Sequence, residues 1–385
     1  MEVGGTVRVV ATEPRQPGPD PDPDPVDGAR PEPVPGTATS DDWNLSTGRP
    51  DPAGLAVAVA PRSAPWIDGA VTSAGARLAP LDAASALVWT APDQPDELEA
   101  VLRNAESIDW VQLPWAGIDP YVELIRRRNE LVWTCAKGVY SDPVAEHALA
   151  LLLAGFRHLG GYARATEWGR PEGRNLFGAR VTIVGGGGIA RVLVDLLAPF
   201  RCQITVVRRS PGVPVDSAGA GSGWNSGESG ELDETGGGPA LRSRGRVREV
   251  STDQLADALD GAEAVVLALP LLAETRGMIG AEELARLAPG AWLVNVARGE
   301  HIDTDALVAA LDSGHLGGAA LDVTDPEPLP TGHRLWGRGN VIITPHTANT
   351  PEMARPLLSE RISTNVANRI AGRDLVGVIR PDLGY

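Results

Sequence analysis

Residues 180–200, "RVTIVGGGGIARVLVDLLAPF", decide the fold class of this chain. Residues 181–184 are a short apolar run that predicts a buried strand, and residues 189–197 repeat apolar side chains at helical spacing. A glycine-rich string by itself is weak evidence, because such turns are common in loops. Between a strand and an amphipathic helix, however, residues 185–190 predict a turn that binds a dinucleotide.

Each position of this turn has a physical reason. Gly185 permits the tight turn, and Gly187 lets the backbone approach a pyrophosphate that lies on the N-terminus of the helix. Ala190 takes the third position, which is usually glycine for close contact between helix and strand, and one methyl group is tolerable there. The sequence therefore predicts dinucleotide binding by Gly185, Gly187, Gly188, Ile189 and Ala190.

The next strand ends in "VVRRS", residues 206–210. An acidic residue usually stands there and accepts hydrogen bonds from both ribose hydroxyls of the adenosine. Arg208 cannot accept them, whereas the donors of Arg208 and Arg209 suit a 2'-phosphate, and Ser210 adds a hydroxyl donor. We therefore predict NADP as the preferred cofactor and NAD as the alternative. The competing interpretation is an incidental basic pair on a solvated strand end.

The amino-acid composition is that expected of a soluble, acidic protein. The 385 residues suffice for two domains, and 34 basic against 50 acidic residues leave a net charge of -16, which disfavours nucleic acid as a partner. The two cysteines lack neighbours at metal-ligand spacing, so we expect neither a disulfide framework nor a metal site. The N-terminus lacks the pattern of a signal peptide and no apolar run is long enough to span a membrane, so a cytoplasmic location is expected.

Outside two low-complexity segments, the chain alternates strand and helix patterns. Residues 1–53 are rich in Pro and Asp and residues 211–246 in Gly and Ser, and both segments are expected to be disordered. From Leu55 onward the alternation predicts an α/β fold with parallel sheets covered by helices on both faces. A longer helix is predicted to open at Ser141, which would cap it ahead of Pro143.

Three charged or titratable residues follow predicted strands late in the chain. They are Arg298 in "NVARG", Glu327 in "DPEP" and His346 in "TPH". Ligands of open α/β sheets bind outside the carboxyl ends of the strands, so these three side chains are expected to share one crevice. Each of them alone has an ordinary structural explanation, but their occurrence together beside a dinucleotide turn favours a catalytic group.

Several stretches together resemble the D-isomer-specific 2-hydroxyacid dehydrogenase family, including its glyoxylate/hydroxypyruvate reductase-like and phosphoglycerate dehydrogenase-like members. They are "WVQLPWAGID", "VAEHALALLLAGFRHL", "VGGGGIA", "LALPLLAETRGMI", "LVNVARGEHIDTDALVAAL", "GGAALDVTDPEPLP" and "NVIITPHTA". The resemblance implies two Rossmann-like or flavodoxin-like domains with a cleft between them. It implies a discontinuous substrate domain of residues 54–141 plus 350–385, and a cofactor domain of residues 142–349.

The resemblance also implies an oxidoreductase that reduces 2-keto acids to D-2-hydroxy acids. Arg298 would grip the substrate carboxylate and polarise the carbonyl, because a guanidinium stays charged and binds with two prongs. His346 would donate the proton, since imidazole titrates near neutrality, and Glu327 would orient its ring. The backbone of Ala116 and Gly117 would hold the substrate carboxylate.

Further contacts follow from the resemblance. Pro270 would lie along the cofactor, with Ala297 and Asp322 near its nicotinamide end. Trp115 replaces a small residue usual beside the carboxylate loop, which favours a small substrate or one that stacks. Leu272 stands where many relatives carry a threonine, which puts one cofactor contact in question.

Two functions remain open on the sequence. The first is a reductase of a small 2-keto acid such as glyoxylate or hydroxypyruvate, forming a homodimer through the cofactor domains. The second is a corepressor-like protein of the same fold that senses the dinucleotide and binds a protein partner. Turnover of a keto acid discriminates between them.

Overall fold

The computed structural model describes residues 54–212 and 246–380. The sequence predicts disorder for residues 1–53 and for residues 213–245 of the second low-complexity segment. These residues lie outside the part of the chain that the structure describes. No helix within the described ranges combines the length and the apolar character that a membrane span needs.

The first lobe is built on a parallel sheet whose five described strands run in the order β2-β1-β3-β4-β5. The strands are β1 (Ala56–Ala60), β2 (Arg77–Leu78), β3 (Ala86–Trp89), β4 (Trp110–Gln112) and β5 (Val132–Thr134). The helices of this lobe are α1 (Pro65–Ser73), α2 (Pro95–Arg103) and α3 (Val122–Arg127). The C-terminal part of the chain returns here, since α10 (Pro351–Ile370) packs on α1 and Val378 pairs antiparallel with Thr134.

The second lobe is built on a parallel sheet whose seven described strands run in the order β12-β11-β10-β9-β6-β7-β8. The strands are β6 (Arg180–Val184), β7 (Gln203–Val207), β8 (Val247–Val250), β9 (Ala264–Leu267), β10 (Ala291–Asn295), β11 (Leu316–Leu321) and β12 (Val341–Ile343). The helices are α4 (Ser141–Phe156), α5 (Leu159–Arg164), α6 (Gly188–Leu197), α7 (Leu255–Leu259), α8 (Ala281–Arg286) and α9 (Thr304–Asp312).

Each sheet has an apolar core on both of its faces. Every residue of the central strands β9 and β10 is buried, as expected for parallel strands with helices on either side. In the second lobe, Val265 and Leu293 belong to the core on one face, while Val266 and Val294 belong to the core on the other. The predicted α/β fold with two Rossmann-like parallel sheets is therefore confirmed.

The long helix α4 begins at Ser141, but Ser141 does not cap it. Tyr140 occupies the cap position without a side-chain hydrogen bond to the helix, so the predicted cap is wrong by one residue. The Ser141 hydroxyl instead lies against the first turn of α6, where a Cβ on Gly188 would stand 2.2 Å from it. Glycine at position 188 therefore allows α4 to approach the start of α6 closely.

Candidate active site

The structure brings the three predicted catalytic residues to one edge of the second sheet. Arg298 follows β10, Glu327 follows β11 and His346 follows β12, and these three strands are neighbours. Because all three strands are parallel, their carboxyl ends open on the same side. Pro270 follows β9 and Ala297 follows β10 at that same edge.

His346 and Glu327 form a direct pair. The imidazole Nδ1 lies 2.8 Å from Glu327 Oε1, and the two side chains are 53% and 42% exposed. The His346 backbone has a φ of 52°, which is uncommon outside glycine, and its amide donates to the carbonyl oxygen of Asp322 at 2.8 Å. Since Glu327 occupies Nδ1, and Nε2 has no partner among the described residues, Nε2 is the nitrogen that can exchange a proton with a substrate.

Arg298 reaches from the second lobe to the first. Its Nε and Nη2 donate to Asp119 Oδ2 at 3.2 and 3.0 Å, and its Nη1 donates to the carbonyl oxygen of Ala297 at 2.7 Å. The guanidinium lies on the backbone of Gly117, where a Cβ would stand 1.8 Å from Nη2. The predicted carboxylate loop and the predicted anion-binding arginine are therefore in contact. The carboxylate of Asp119 is the ion-pair partner of this guanidinium.

Asn295 shapes the turn that presents Arg298, and sequence reasoning missed it. The Asn295 side chain is buried, donates to the carbonyl oxygen of Arg298 at 2.7 Å, and accepts from the amide of Ala297 at 3.0 Å. Both of its polar groups therefore hold this turn in shape. The available signal was a single polar residue closing the apolar run "AWLVN".

Asp322 anchors the loop that carries His346. Its carboxylate accepts hydrogen bonds from the Thr344 hydroxyl (2.6 Å) and from the amides of Thr347 (2.8 Å) and Ala348 (3.1 Å), and His147 Nε2 lies 3.4 Å away. Burial raises the pKa of Asp322, but hydrogen bonds from these four groups outweigh burial and lower the pKa from 3.8 to about 2. Asp322 is thus an ionised tether between β11, α4 and the loop after β12.

Replacing Asp322 with asparagine is expected to lower the free energy of unfolding at pH 7 by about 2 kcal/mol, since an amide cannot replace the ionised acceptor. The folded-state pKa of about 2 lies below the 3.8 of an unperturbed carboxyl. The stabilisation is therefore present above pH 3.8 and is lost progressively as the pH falls from there through about 2, so that part of it is already missing at pH 3. Urea unfolding at pH 7, 5 and 3 measures the effect, and Asp305→Asn at an exposed position of α9 is the control. A difference between Asp322→Asn and the native protein that stays constant down to pH 3 contradicts this account.

The glycine-rich turn has the shape that a pyrophosphate requires. Gly185 has a φ of 117°, and a Cβ there would stand 2.1 Å from the carbonyl oxygen of Ala268 at the end of the neighbouring strand. A Cβ on Gly187 would meet no atom within 4 Å, so the space in front of this residue is open. Gly187 precedes the ten-residue helix α6, whose first amides, including those of Gly188 and Ile189, are available to an anion. These residues fit the phosphates of a dinucleotide.

Each arginine of "VVRRS" has an acidic partner. Arg208 Nη1 lies 3.3 Å from Glu249 Oε1, and both side chains are largely buried, at 14% and 16% exposure. Arg209 Nη2 lies 2.9 Å from Glu274 Oε1 in a pair that is much more exposed. The stem of Arg208 also packs against Gly186, where a Cβ would stand 2.7 Å from the Arg208 Cβ. Arg208 therefore stands beside the glycine-rich turn, and a phosphate bound by the two arginines would compete with the two carboxylates.

A protein-family model matches the part of the chain that contains Arg298, Glu327 and His346. Residues 240–348 match the model of the D-isomer specific 2-hydroxyacid dehydrogenase NAD binding domain. The chain is 37% identical over 302 residues to an uncharacterized protein in the proB 3' region of Corynebacterium melassecola, covering 77% of this chain and 88% of that protein. It is 31% identical over 283 residues to the glyoxylate reductase of Pyrococcus furiosus, covering 70% and 74%.

A solved structure shares the fold over most of the chain. The D-isomer specific 2-hydroxyacid dehydrogenase from Xanthobacter autotrophicus Py2, in complex with NADPH and MES, superposes with a TM-score of 0.67 and 25% identity. The match covers 86% of this chain and 99% of that one.

Proposed function

This chain belongs to the D-isomer specific 2-hydroxyacid dehydrogenase family, and we propose that it reduces small 2-keto acids, such as glyoxylate and hydroxypyruvate, to 2-hydroxy acids with NADPH, and that products with a stereocentre have the D configuration. The observation that carries the proposal is the arrangement of the His346–Glu327 pair and Arg298 at one sheet edge, beside an open dinucleotide turn. The NADPH bound by the Xanthobacter autotrophicus protein supports the cofactor.

The reaction needs an anion site, a proton donor and a hydride donor. A bound nicotinamide supplies the hydride to the keto carbon. Arg298 and the backbone of Gly117 bind the substrate carboxylate, and the substrate replaces Asp119 as a partner of the guanidinium. The fixed charge of Arg298 also stabilises the negative charge that develops on the carbonyl oxygen during reduction.

His346 supplies the proton that converts this oxygen into a hydroxyl group. Its Nε2 faces the substrate because Glu327 binds Nδ1, and the carboxylate of Glu327 stabilises the imidazolium before transfer. In the oxidative direction the same nitrogen accepts the proton. Glu327 acts as the positioning residue of this pair.

The cofactor preference rests on Arg208 and Arg209. Their exchange for aspartate and serine in one double variant is expected to shift the ratio of kcat/KM for NADPH to that for NADH by at least about 100-fold toward NADH, because charge-assisted phosphate contacts are lost and an acceptor for ribose hydroxyls is gained. Initial rates with both cofactors measure the ratio. Arg248→Ser on the neighbouring strand β8 is the matched control. Equal use of both cofactors by the native protein would rule out the binding of a 2'-phosphate by Arg208 and Arg209.

The function is tested by recording the nicotinamide absorbance during reactions with glyoxylate, hydroxypyruvate and pyruvate, each with NADPH and with NADH. Turnover with NADPH preferred supports both the reaction and the binding of the 2'-phosphate by Arg208 and Arg209. Turnover with NADH preferred supports only the reaction. Tight NADPH binding without turnover of any keto acid would instead favour the dinucleotide sensor.

We also propose the assembly and the boundaries that the resemblance implies. The substrate domain would comprise residues 54–141 and 350–385, and the cofactor domain residues 142–349. Two cofactor domains would form a homodimer in the cytoplasm. The homodimer is supported by large apolar side chains that α5 and the segment after it leave exposed. Light scattering, which measures the molar mass of the protein in solution, tests it. These side chains are Leu159, Tyr162, Trp168 and Phe177.

A further inference from the structure

Glu249 connects strand β8 to the basic segment that follows β7. It lies opposite Val206 in the parallel pairing of β7 with β8, and Arg208 follows Val206 two positions later. Both carboxylate oxygens of Glu249 lie near Nη1 of Arg208, at 3.3 and 3.4 Å. The same carboxylate accepts a hydrogen bond from the amide of Gly212 at 2.8 Å. Glu249 thus holds the beginning and the end of residues 208–212 against β8.

The ion pair of Arg208 with Glu249 is shielded from water, unlike the pair beside it. The Arg208 and Glu249 side chains are largely buried, whereas those of Arg209 and Glu274 are 47% and 67% exposed. Charges interact strongly where water is excluded and weakly where water and salt reach them. The carboxylate of Glu249 therefore affects the field at Arg208 much more than that of Glu274 affects the field at Arg209.

The side chain of Arg208 lies where a bound dinucleotide carries its 2'-substituent. In sheets of this kind the adenosine ribose lies at the carboxyl end of the strand after the glycine-rich turn and its helix, which here is β7. Arg208 also packs on that turn, because a Cβ on Gly186 would stand 2.9 Å from Arg208 Nε. A phosphate that binds this guanidinium therefore also comes close to the carboxylate of Glu249.

This carboxylate affects the two cofactors differently. A 2'-phosphate carries up to about two negative charges at pH 7, so its repulsion by Glu249 offsets part of its attraction to Arg208. The ribose of NADH carries hydroxyl groups in place of the phosphate. These groups are uncharged, and a carboxylate accepts hydrogen bonds from them. Glu249 therefore weakens the binding of NADPH without weakening that of NADH.

We propose that Glu249 limits the preference for NADPH by acting through Arg208, so that NADH remains in use as a second cofactor. This inference rests on the proposed function, in which Arg208 binds the 2'-phosphate. Glu249 is a specificity-determining residue and not a catalytic one. Among the described strands of the second sheet, β8 lies at the opposite edge from β12, which His346 follows.

Glu249→Gln tests the inference, because glutamine removes the charge but keeps an acceptor for the amide of Gly212. The variant is expected to lower both the KM and the Kd for NADPH at least about tenfold, since a like charge beside a bound phosphate opposes binding by this much or more. The kcat and the KM for NADH should stay within about threefold of the native values, because the amide oxygen still accepts from ribose hydroxyls. Initial rates with glyoxylate measure the kinetic constants, and quenching of tryptophan fluorescence measures the Kd.

Glu274→Gln is the matched control. It removes the carboxylate that pairs with Arg209, but this pair is exposed, so the Kd for NADPH should change by less than about threefold. An equal fall of the Kd in both variants overturns the inference, because the effect then follows the net charge of the surface. An unchanged or higher Kd for NADPH in folded Glu249→Gln, verified by circular dichroism, overturns it as well. A residue that only supported the fold would give the higher value.

The native protein provides a second test that needs no variant. Its kcat/KM is expected to be higher for NADPH than for NADH by at most about 100-fold, because repulsion from Glu249 offsets part of the phosphate contact. A larger preference overturns the inference and leaves the reductase standing. If Glu249→Gln does not fold, the uncharged Glu249→Met, of similar length, replaces it. Absence of turnover with every 2-keto acid overturns the proposed function, while the Kd for NADPH still tests the role of Glu249.

Discussion

Replacing His346 with alanine is expected to lower kcat for keto acid reduction by about 10³-fold, while the protein still binds NADPH. The variant removes the Nε2 proton donor, and general acid catalysis contributes roughly 10²- to 10⁴-fold. Glu327 then has no ring to orient, so adding Glu327→Gln to the variant should cost little more. Single-turnover absorbance measures the chemical step, and quenching of tryptophan fluorescence measures the Kd for NADPH.

His333→Ala is the matched control for this prediction. His333 lies in the same segment between β11 and β12 as Glu327, but its ring Nδ1 accepts from the amide of Leu335 at 3.3 Å and no described carboxylate pairs with it. The control should keep native kcat. If His346→Ala reduces keto acids at the native rate, His346 is not the proton donor and the mechanism fails, whatever the cofactor affinity.

Replacing Arg298 with alanine is expected to lower kcat/KM for every 2-keto acid by about 10³-fold. The variant loses the cation that binds the carboxylate and stabilises charge on the carbonyl oxygen, and losing one such donor costs roughly 10²- to 10³-fold. It also leaves Asp119 without its arginine partner, so a negative charge remains where the substrate carboxylate must bind. Both effects act on the substrate, so the Kd for NADPH should stay within about threefold of the native value.

The repulsion from Asp119 can be separated from the loss of the cation. Adding Asp119→Asn to Arg298→Ala removes that charge and should recover part of the loss in KM without recovering kcat. Arg286→Ala, which breaks an exposed ion pair with Asp260 on the same lobe, serves as the control and should change neither constant. Native kcat/KM in Arg298→Ala would show that another group binds the carboxylate.

Local sequence patterns predicted most of the framework. The run from β6 through α6 is specified within about 20 residues, because strand and helix periodicities and the glycine turn depend on neighbours along the chain. The convergence of Arg298, Glu327 and His346 could also be predicted, since each follows a strand of one parallel sheet. Nearness in that case follows from the topology rather than from any particular contact.

The partners of these residues could not be predicted in this way. Asp119 lies 179 residues before Arg298 in the chain, and Glu249 lies 41 residues after Arg208. Neither carboxylate differs, in its local sequence, from the many other acidic residues of a chain with a net charge of -16. Only the packing of one lobe on the other, and of β8 beside β7, decides which of them reaches an arginine.

The sequence by itself determined the fold class, the dinucleotide turn and the identities of the residues at the strand ends, because short-range geometry and the parallel arrangement suffice for these. The tertiary structure alone decided which carboxylates pair with the arginines and how Asp322 anchors the loop of His346. These features depend on distances and volumes between segments far apart in the chain. Such quantities arise only when the side chains are packed together.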